Sequence, residues 1–159
     1  MTPNHIRALL GALIDRDAEA AQTAIDKGAN PNAIVGGTRP LHIAVIAGSR
    51  PMIQLLFRHG AVPDSPDALG RTALHYAALG SANADPDLID TLIAAGASVN
   101  VADAHGCTPL DLAAGAQNQA AAMALLRAGA TCRADRVKWV QRVSGEDPAS
   151  GSSDRSRSP

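Results

Sequence analysis

The stretch GRTALHYAA at residues 70–78 decides the fold, because near copies of it occur twice more in the chain. GTRPLHIAV begins at Gly37 and GCTPLDLAA begins at Gly106, so the offsets are 33 and 36 residues. Each copy is followed by a second matching segment: LLFRHGAVPD, TLIAAGASVN and ALLRAGATCR. A period of this length indicates an array of stacked supersecondary units.

The N-terminal region has a degenerate copy of the same unit. AIDKGANPN at residues 24–32 matches the end of the later copies, and Leu9 precedes Gly28 at the distance that separates Leu41 from Gly60. We therefore predict a repeat domain over residues 1–143 and a disordered tail over 144–159, rich in Ser, Gly and Pro. Within the domain, the predicted repeats span 4–36, 37–69, 70–105 and 106–133, followed by a C-terminal cap helix over 134–143.

Each unit predicts a turn followed by two short helices. Thr72 and Thr108 are placed as N-caps, and Pro40 and Pro109 stand in a first helical turn, where a missing N–H costs nothing. The second helix of every unit ends at a glycine placed as a left-handed C′ residue: Gly28, Gly60, Gly96 and Gly129.

The apolar content predicts an all-α protein. Hydrophobic residues make up 46 % of the 159 residues but aromatic residues only 2 %, so the strong helix formers alanine and leucine supply the core. No single unit can cover its own apolar face. Stacking of neighbouring units supplies the cover, which predicts a solenoid of helix-turn-helix units joined by hairpin-like loops.

This pattern resembles the ankyrin repeat, whose unit is a turn and two antiparallel helices around a TPLHxA core. The resemblance covers residues 4 to about 133, with local departures: Arg39 for threonine, Ala73 for proline and Asp111 for histidine. It implies that His42 and His75 hydrogen-bond the adjoining turn and orient it. The first copy lacks the motif, and Asn4 is predicted to cap its first helix.

Two segments depart from the repeat. The third unit contains three extra residues within LGSANADPDL, which lengthen the loop between its helices; this insertion is either neutral or a contact surface. Beyond Ala134 the repeat fades into RVKWVQRV, where Trp139 is a candidate to cover the end of the fourth unit.

Composition and motifs exclude several classes of function. The net charge of −1 provides no basic field for a nucleic acid, and no apolar run approaches the length of a membrane span. We find no nucleophile, phosphate-binding or metal-ligand motif, so we expect no catalytic residue, no cofactor and no metal. Cys107 and Cys132 are predicted to be free thiols. The expected protein is a cytoplasmic monomer without a signal peptide.

The family resemblance implies that a partner protein binds at the concave face, at the turn tips and the ends of the first helices. Arg71 is our predicted hot spot, beside Ile46, Leu69 and a half-buried Tyr76. The predicted contact residues are Val35, Thr38, Ile46, Ala47, Ala68, Leu69, Arg71, Leu79, Ala104, His105, Cys107 and Ala116.

Three hypotheses follow. The first is a non-catalytic interaction module that acts as an inhibitor, immunity or adaptor protein. The second is a structural module that associates with itself through the same apolar residues. The alternative to either interaction is that Ile46, Leu69 and Leu79 pack against each other or under the loop at 81–86. The third is an enzyme that uses His75 with a carboxylate, which the repetition of this histidine at His42 argues against.

Overall fold

The computed structural model describes residues 3–80, 87–132, 139, 141, 142 and 145. Eight α-helices lie in these ranges and alternate as the first and second helix of four pairs. Their bounds are α1 Pro3–Asp15, α2 Ala18–Asp26, α3 Pro40–Ile46, α4 Arg50–Arg58, α5 Ala73–Leu79, α6 Asp87–Ala94, α7 Pro109–Gly115 and α8 Gln119–Arg127.

The helix pairs stack into one continuous layer of packing. Each first helix packs on its own second helix and on the first helix of the next pair, so that α1, α3, α5 and α7 form a row. The core passes along this row through equivalent leucines that are at most 3 % exposed: Leu9, Leu41, Leu74 and Leu110. The predicted all-α repeat solenoid is confirmed.

All four second helices end in the same hydrogen-bonded turn. The glycine after each C-cap has a positive φ, between 82° and 94° for Gly28, Gly60, Gly96 and Gly129. The N–H of the following alanine then donates to a carbonyl in the last helical turn, as Ala29 N does to Ala24 O at 3.0 Å. Each of these alanines is buried, so the turn also fastens the chain to the core.

The first helices end less uniformly. Arg16, Gly48 and Gln117 adopt left-handed backbone after α1, α3 and α7. Gly80 after α5 instead has φ −53° and ψ 145°. The first helix of the unit with the insertion therefore ends without the left-handed residue that follows the other three. Asn118 compensates, because its Nδ2 donates to Gly80 O at 2.7 Å and to Ala78 O at 3.2 Å.

One cap prediction is wrong. Asn4 lies inside α1, which begins at Pro3. A proline is favoured at a first helical position because its missing N–H would have no helical partner there. The helix therefore starts one residue before the asparagine that the sequence predicted as its cap.

Three predicted features fall largely outside the described residues. The insertion at 81–86 and the tail at 144–159, apart from Gly145, are not described, and only Trp139, Gln141 and Arg142 of the predicted cap helix are. These three are helical, and Trp139 is half-buried against the core.

Candidate partner-binding surface

The turns before α3, α5 and α7 form three fingers, which we number 1 to 3 (residues 34–38, 67–71 and 103–107). Aspartates organise fingers 2 and 3. Asp67 Oδ1 accepts the backbone N–H groups of Leu69 and Arg71, both at 2.8 Å. Asp103 Oδ1 accepts those of His105 at 2.9 Å and Cys107 at 3.0 Å. Together with the backbone bonds from Asp67 N to Arg71 O and from Asp103 N to Cys107 O, both at 2.9 Å, these side-chain bonds close each turn.

Finger 1 reaches a similar shape by another route. Ile34 stands where fingers 2 and 3 have aspartate, and its side chain is 63 % exposed. Gly36 and Gly37 both have positive φ values, of 58° and 82°, which allows Val35 and Thr38 to pair as an antiparallel bridge. The left-handed backbone of two glycines therefore forms a turn that an aspartate side chain stabilises in fingers 2 and 3.

Backbone hydrogen bonds join the fingers to one another. Ala68 N donates to Gly37 O at 3.0 Å, and Ala104 N donates to Leu69 O at 2.9 Å. At Gly70, which has a φ of 74°, a Cβ atom would lie 2.9 Å from Ala104 N. The glycine is required both by its left-handed backbone and by the approach of the next finger.

His75 braces finger 3 from inside the solenoid. Its Nδ1 accepts the Thr72 N–H at 3.1 Å, which leaves the proton on Nε2, and Nε2 donates to Cys107 O at 3.0 Å. Burial lowers the pKa of His75 below its usual value. A neutral, fully buried imidazole with both nitrogens occupied holds a turn and is not available as a catalytic base.

His42 occupies the equivalent position but is less well satisfied. Its Nε2 bonds to Ser65 O at 3.1 Å, whereas Nδ1 is buried without a hydrogen-bond partner. Burial lowers the pKa of His42 as well. Arg39, which replaces the threonine of this unit, provides no side-chain cap and donates instead to Pro66 O at 2.8 Å and Asn32 O at 2.7 Å.

For unit 4, an aspartate fulfils the role of the histidine. Asp111 Oδ2 accepts the Thr108 N–H at 2.9 Å and the Thr108 hydroxyl at 3.0 Å, which completes a capping box at the start of α7. The Thr108 hydroxyl also lies 3.1 Å from Thr131 O, so the same side chain contacts the end of the unit.

A polar network lies beneath fingers 2 and 3. Tyr76 Oη donates to Asp67 Oδ2 at 2.6 Å, and Arg71 Nε is 3.6 Å from Asp103 Oδ2. Burial alone would raise the pKa of Asp67, but the hydrogen bonds from Tyr76 and from two backbone N–H groups lower it. Asp103 behaves alike: burial opposes ionisation, but the N–H groups of Cys107 and His105 lower its pKa. Both carboxylates are charged and structural.

A second set of hydrogen bonds joins the loops that follow the second helices of neighbouring units, and these bonds were not predicted from the sequence. Asn32 Oδ1 accepts Val62 N at 2.9 Å, and Asn100 Oδ1 accepts Thr131 N at 2.8 Å. Asp64 takes the equivalent position and binds both N and Oγ of Ser98, at 2.9 and 2.6 Å. The signal was visible in the sequence, because GANPN, GAVPD and GASVN each end in an Asn or Asp.

The structure places all of the predicted contact residues outside the core. Arg71 is half-buried, with its side chain 26 % exposed beside Asp103. Val35, Thr38, Ala47 and Cys107 are also half-buried. The exposed residues are Ile46 (66 %), Leu69 (46 %), Leu79 (40 %), Ala68, Ala104, His105 and Ala116.

Two exposed apolar residues that belong with this set were missed. Ile14 is 64 % exposed and lies five residues after Leu9, as Ile46 does after Leu41. Ile34 is the exposed residue in the aspartate position of finger 1. Alignment of the degenerate first unit and of the first finger to the later copies would have found both.

Residues 3–80 and 87–132 offer neither a membrane-spanning helix nor a metal-binding cluster. Residues 3–80 and 87–132 contain no helix with both the length and the apolar content of a membrane span. The same ranges bring together no group of three or more His, Cys, Asp or Glu side chains able to hold a metal ion.

Comparison with known proteins identifies the repeated unit. A family model described as ankyrin repeats (3 copies) matches residues 9–103 and again 64–136. The chain is 40 % identical over 87 residues to the RelA-associated inhibitor of Mus musculus, which is 55 % of this chain and 10 % of that protein.

Two further relatives match over shorter segments. The Ankyrin repeat and LEM domain-containing protein 1 homolog of Caenorhabditis elegans is 48 % identical over 60 residues, which is 37 % of this chain and 8 % of that protein. The Zygote-specific protein 3 of Chlamydomonas reinhardtii is 37 % identical over 79 residues, 48 % of this chain and 21 % of that protein. The match spans at most about a fifth of each of these relatives.

Proposed function

Because this chain belongs to the ankyrin-repeat family, whose repeats mediate protein–protein interaction and are generally non-catalytic, we propose that it binds a partner protein through its fingers and the ends of its first helices. One observation carries the proposal. Ile14, Ile46 and Leu79 expose 64, 66 and 40 % of their surface at the same position of three consecutive first helices. Clustered exposed apolar side chains mark interaction sites.

The fingers supply a preorganised edge to this surface. Asp67 and Asp103 hold their tips, backbone hydrogen bonds join neighbouring fingers, and His75 braces finger 3. A surface that is rigid before binding loses little entropy when a partner docks. Leu69, at the tip of finger 2, is 46 % exposed and thus available for contact.

The absence of catalysis is part of the same proposal. Five described groups have shifted pKa values that an enzyme hypothesis would use, and each has a hydrogen-bond partner within the fold: His42, His75, Asp67, Tyr76 and Asp103. One relative is named an inhibitor, which fits a role that consists of occupying a partner. We accordingly propose an inhibitor, immunity or adaptor protein that acts as a monomer.

A photo-crosslinking pull-down tests this proposal. The tagged chain, the triple variant Ile46→Ala/Leu69→Ala/Arg71→Ala and the control Val62→Ala/Met123→Ala are exposed to lysate of the source organism. The control removes exposed apolar side chains elsewhere, since Val62 is 50 % and Met123 36 % exposed. We expect the triple variant alone to lose its partner. A folded triple variant that retains every partner would exclude this surface.

Self-association of the chain is the competing outcome. Two copies could cover the same apolar side chains, and light scattering over a range of concentrations separates the cases. A mass that rises with concentration, and that returns to the monomer value in the triple variant, would replace the partner hypothesis with an assembly module.

A further inference from the structure

The exposed apolar side chains form a ladder whose spacing indicates the shape of what binds it. We use the name apolar ladder for Ile14, Ile46 and Leu79, near the C-terminal ends of α1, α3 and α5. These helices pack directly on one another in that order, so successive side chains are separated by one helix-packing distance of about 8–10 Å. In the fourth unit Gly115 takes this position, so the ladder ends there.

From this spacing we infer that the partner segment is an amphipathic α-helix with apolar residues at positions i, i+7 and i+14. The inference rests on the proposed partner-binding function and specifies the chemistry of the partner. Seven helical residues rise about 10.5 Å, close to one step of the ladder, and return to the same face. The residues at i+3 or i+4 between the anchors then face the finger row, where Ile34 and Leu69 are exposed.

A strand is disfavoured by its spacing, and a polyproline II segment by the kind of surface that it requires. On an extended strand, side chains of one face repeat every ~6.7 Å, so no integral number of repeats matches a step of about 8–10 Å. A polyproline II segment repeats every ~9.3 Å but is recognised by grooves lined with aromatic rings. Tyr76 is the aromatic residue at this surface, and its hydroxyl is bound to Asp67.

The charges around the ladder differ along its length. Beside Ile46 and Leu79, the neighbouring positions on the first helices have no charged residue: Ile43, Ala47, Tyr76 and Gly80. Beside Ile14 lie the exposed Asp15 and Arg16, and the Arg16 guanidinium donates to Ala47 O, so the uncharged part of the contact face is the part over Ile46 and Leu79. Arg71 is already paired with Asp103 at 3.6 Å. Charged groups are depleted at the centre of an interface because their desolvation is costly.

The exposed area also favours a single helix over a second copy of the chain. Full burial of an Ile or Leu side chain removes about 60–120 Å² of apolar surface, so five such residues that are roughly half exposed offer at most about 300 Å². A stable dimer needs about 800 Å² from each partner, of which somewhat more than half, about 450 Å², is apolar. The apolar ladder and the two finger residues suit one helix of four or five turns.

Selection from a random peptide library tests this inference without knowledge of the natural partner. Displayed peptides of about 20 residues, long enough for a helix that spans the ladder, are selected on the full chain. Clones that also bind the Ile46→Ser variant are removed. We expect the remaining clones to have apolar residues at i, i+7 and i+14, and to gain helical circular dichroism when bound.

Affinity measurements on the selected peptides provide the matched control. Fluorescence anisotropy should show binding weakened about tenfold or more by Leu79→Ser, the loss of a second partly buried apolar anchor that the selection did not use, and little change for Met123→Ser on α8. Peptides with alternating apolar residues, with proline at every third residue, or without any dependence on Leu79 would overturn the inference. If such clones appear while the triple variant still loses its partner from lysate, the surface is right and the helix is wrong.

Discussion

The two motif histidines provide the sharpest test of how the units are held together. They occupy the same position and both are fully buried, and the difference that matters most for stability is at Nδ1. His75 Nδ1 accepts the buried Thr72 N–H, whereas His42 Nδ1 has no partner. Replacement of each by leucine, which is apolar and of similar size, should therefore have unequal effects on stability.

The expected magnitudes follow from the groups left behind. His75→Leu leaves the Thr72 N–H buried without an acceptor, at a cost of about 1–3 kcal/mol, and removes the bond to Cys107 O, worth about 0.5–1.5 kcal/mol. That carbonyl still accepts Asp103 N at 2.9 Å, so it adds no further penalty. The predicted loss of unfolding free energy is about 2–4 kcal/mol.

His42→Leu loses one bond to Ser65 O but also removes an unsatisfied buried nitrogen. These contributions oppose each other, so the unfolding free energy should stay within about 1 kcal/mol of wild type. Urea unfolding followed by circular dichroism measures both variants, and Trp139 fluorescence as a second probe checks that a single transition is observed. Equal destabilisation by the two substitutions, or a larger effect at His42, would refute the proposed role of the Thr72–His75 bond.

Three further predictions concern pH, a finger glycine and the unit with the insertion. Burial lowers the pKa of His42 and His75, so the stability that each neutral histidine contributes is fully present above the unfolded pKa near 6.5. As the pH drops from there toward the folded pKa values, the unfolding free energy should fall by at most about 1.4 kcal/mol per pH unit for each histidine. Urea midpoints between about pH 7.5 and 5.5 measure this slope, and His75→Leu should reduce it. Gly70→Ala should destabilise the protein more than Gly129→Ala, by about 1–3 kcal/mol in thermal unfolding. Both glycines have positive φ, but only a Cβ at Gly70 would meet neighbouring backbone, at 2.9 Å. Equal losses of stability would show that the approach of the Ala104 backbone to Gly70 is irrelevant. Asn118→Asp keeps the cap of α8 but loses both donated bonds at the end of α5, so it should cost about 1–3 kcal/mol by the same measurement, and an unchanged melting temperature would contradict that link.

The helices and their glycine ends could be predicted from the sequence because they depend on local interactions. Pro40 and Pro109 begin helices, and Gly28 and its equivalents end them, through the conformations of single residues. The wrong prediction that Asn4 caps α1 also concerns a local interaction: Pro3 and Asn4 are adjacent, both favour the start of a helix, and α1 begins at Pro3.

The candidate surface was predicted only where units align plainly. The exposure of Ile46, Leu69 and Leu79 was predicted because these residues lie in units with a clear motif. Ile14 lies in the degenerate first unit and Ile34 replaces an aspartate, so neither residue was predicted to be part of the surface. Arg71 seemed a free hot spot in the sequence because its partner, Asp103, belongs to the next unit.

The repeat period, the helix pairs and the family resemblance were determined by the sequence alone, because each depends on residue types at fixed spacing. Only the tertiary structure decided which acceptor each histidine uses, that Arg39 joins two turns, and that Asn118 satisfies the altered end of α5. Each of these depends on atoms from different turns or helices that folding brings to within about 3 Å, a distance that hydrogen bonding requires and that repeat spacing does not specify.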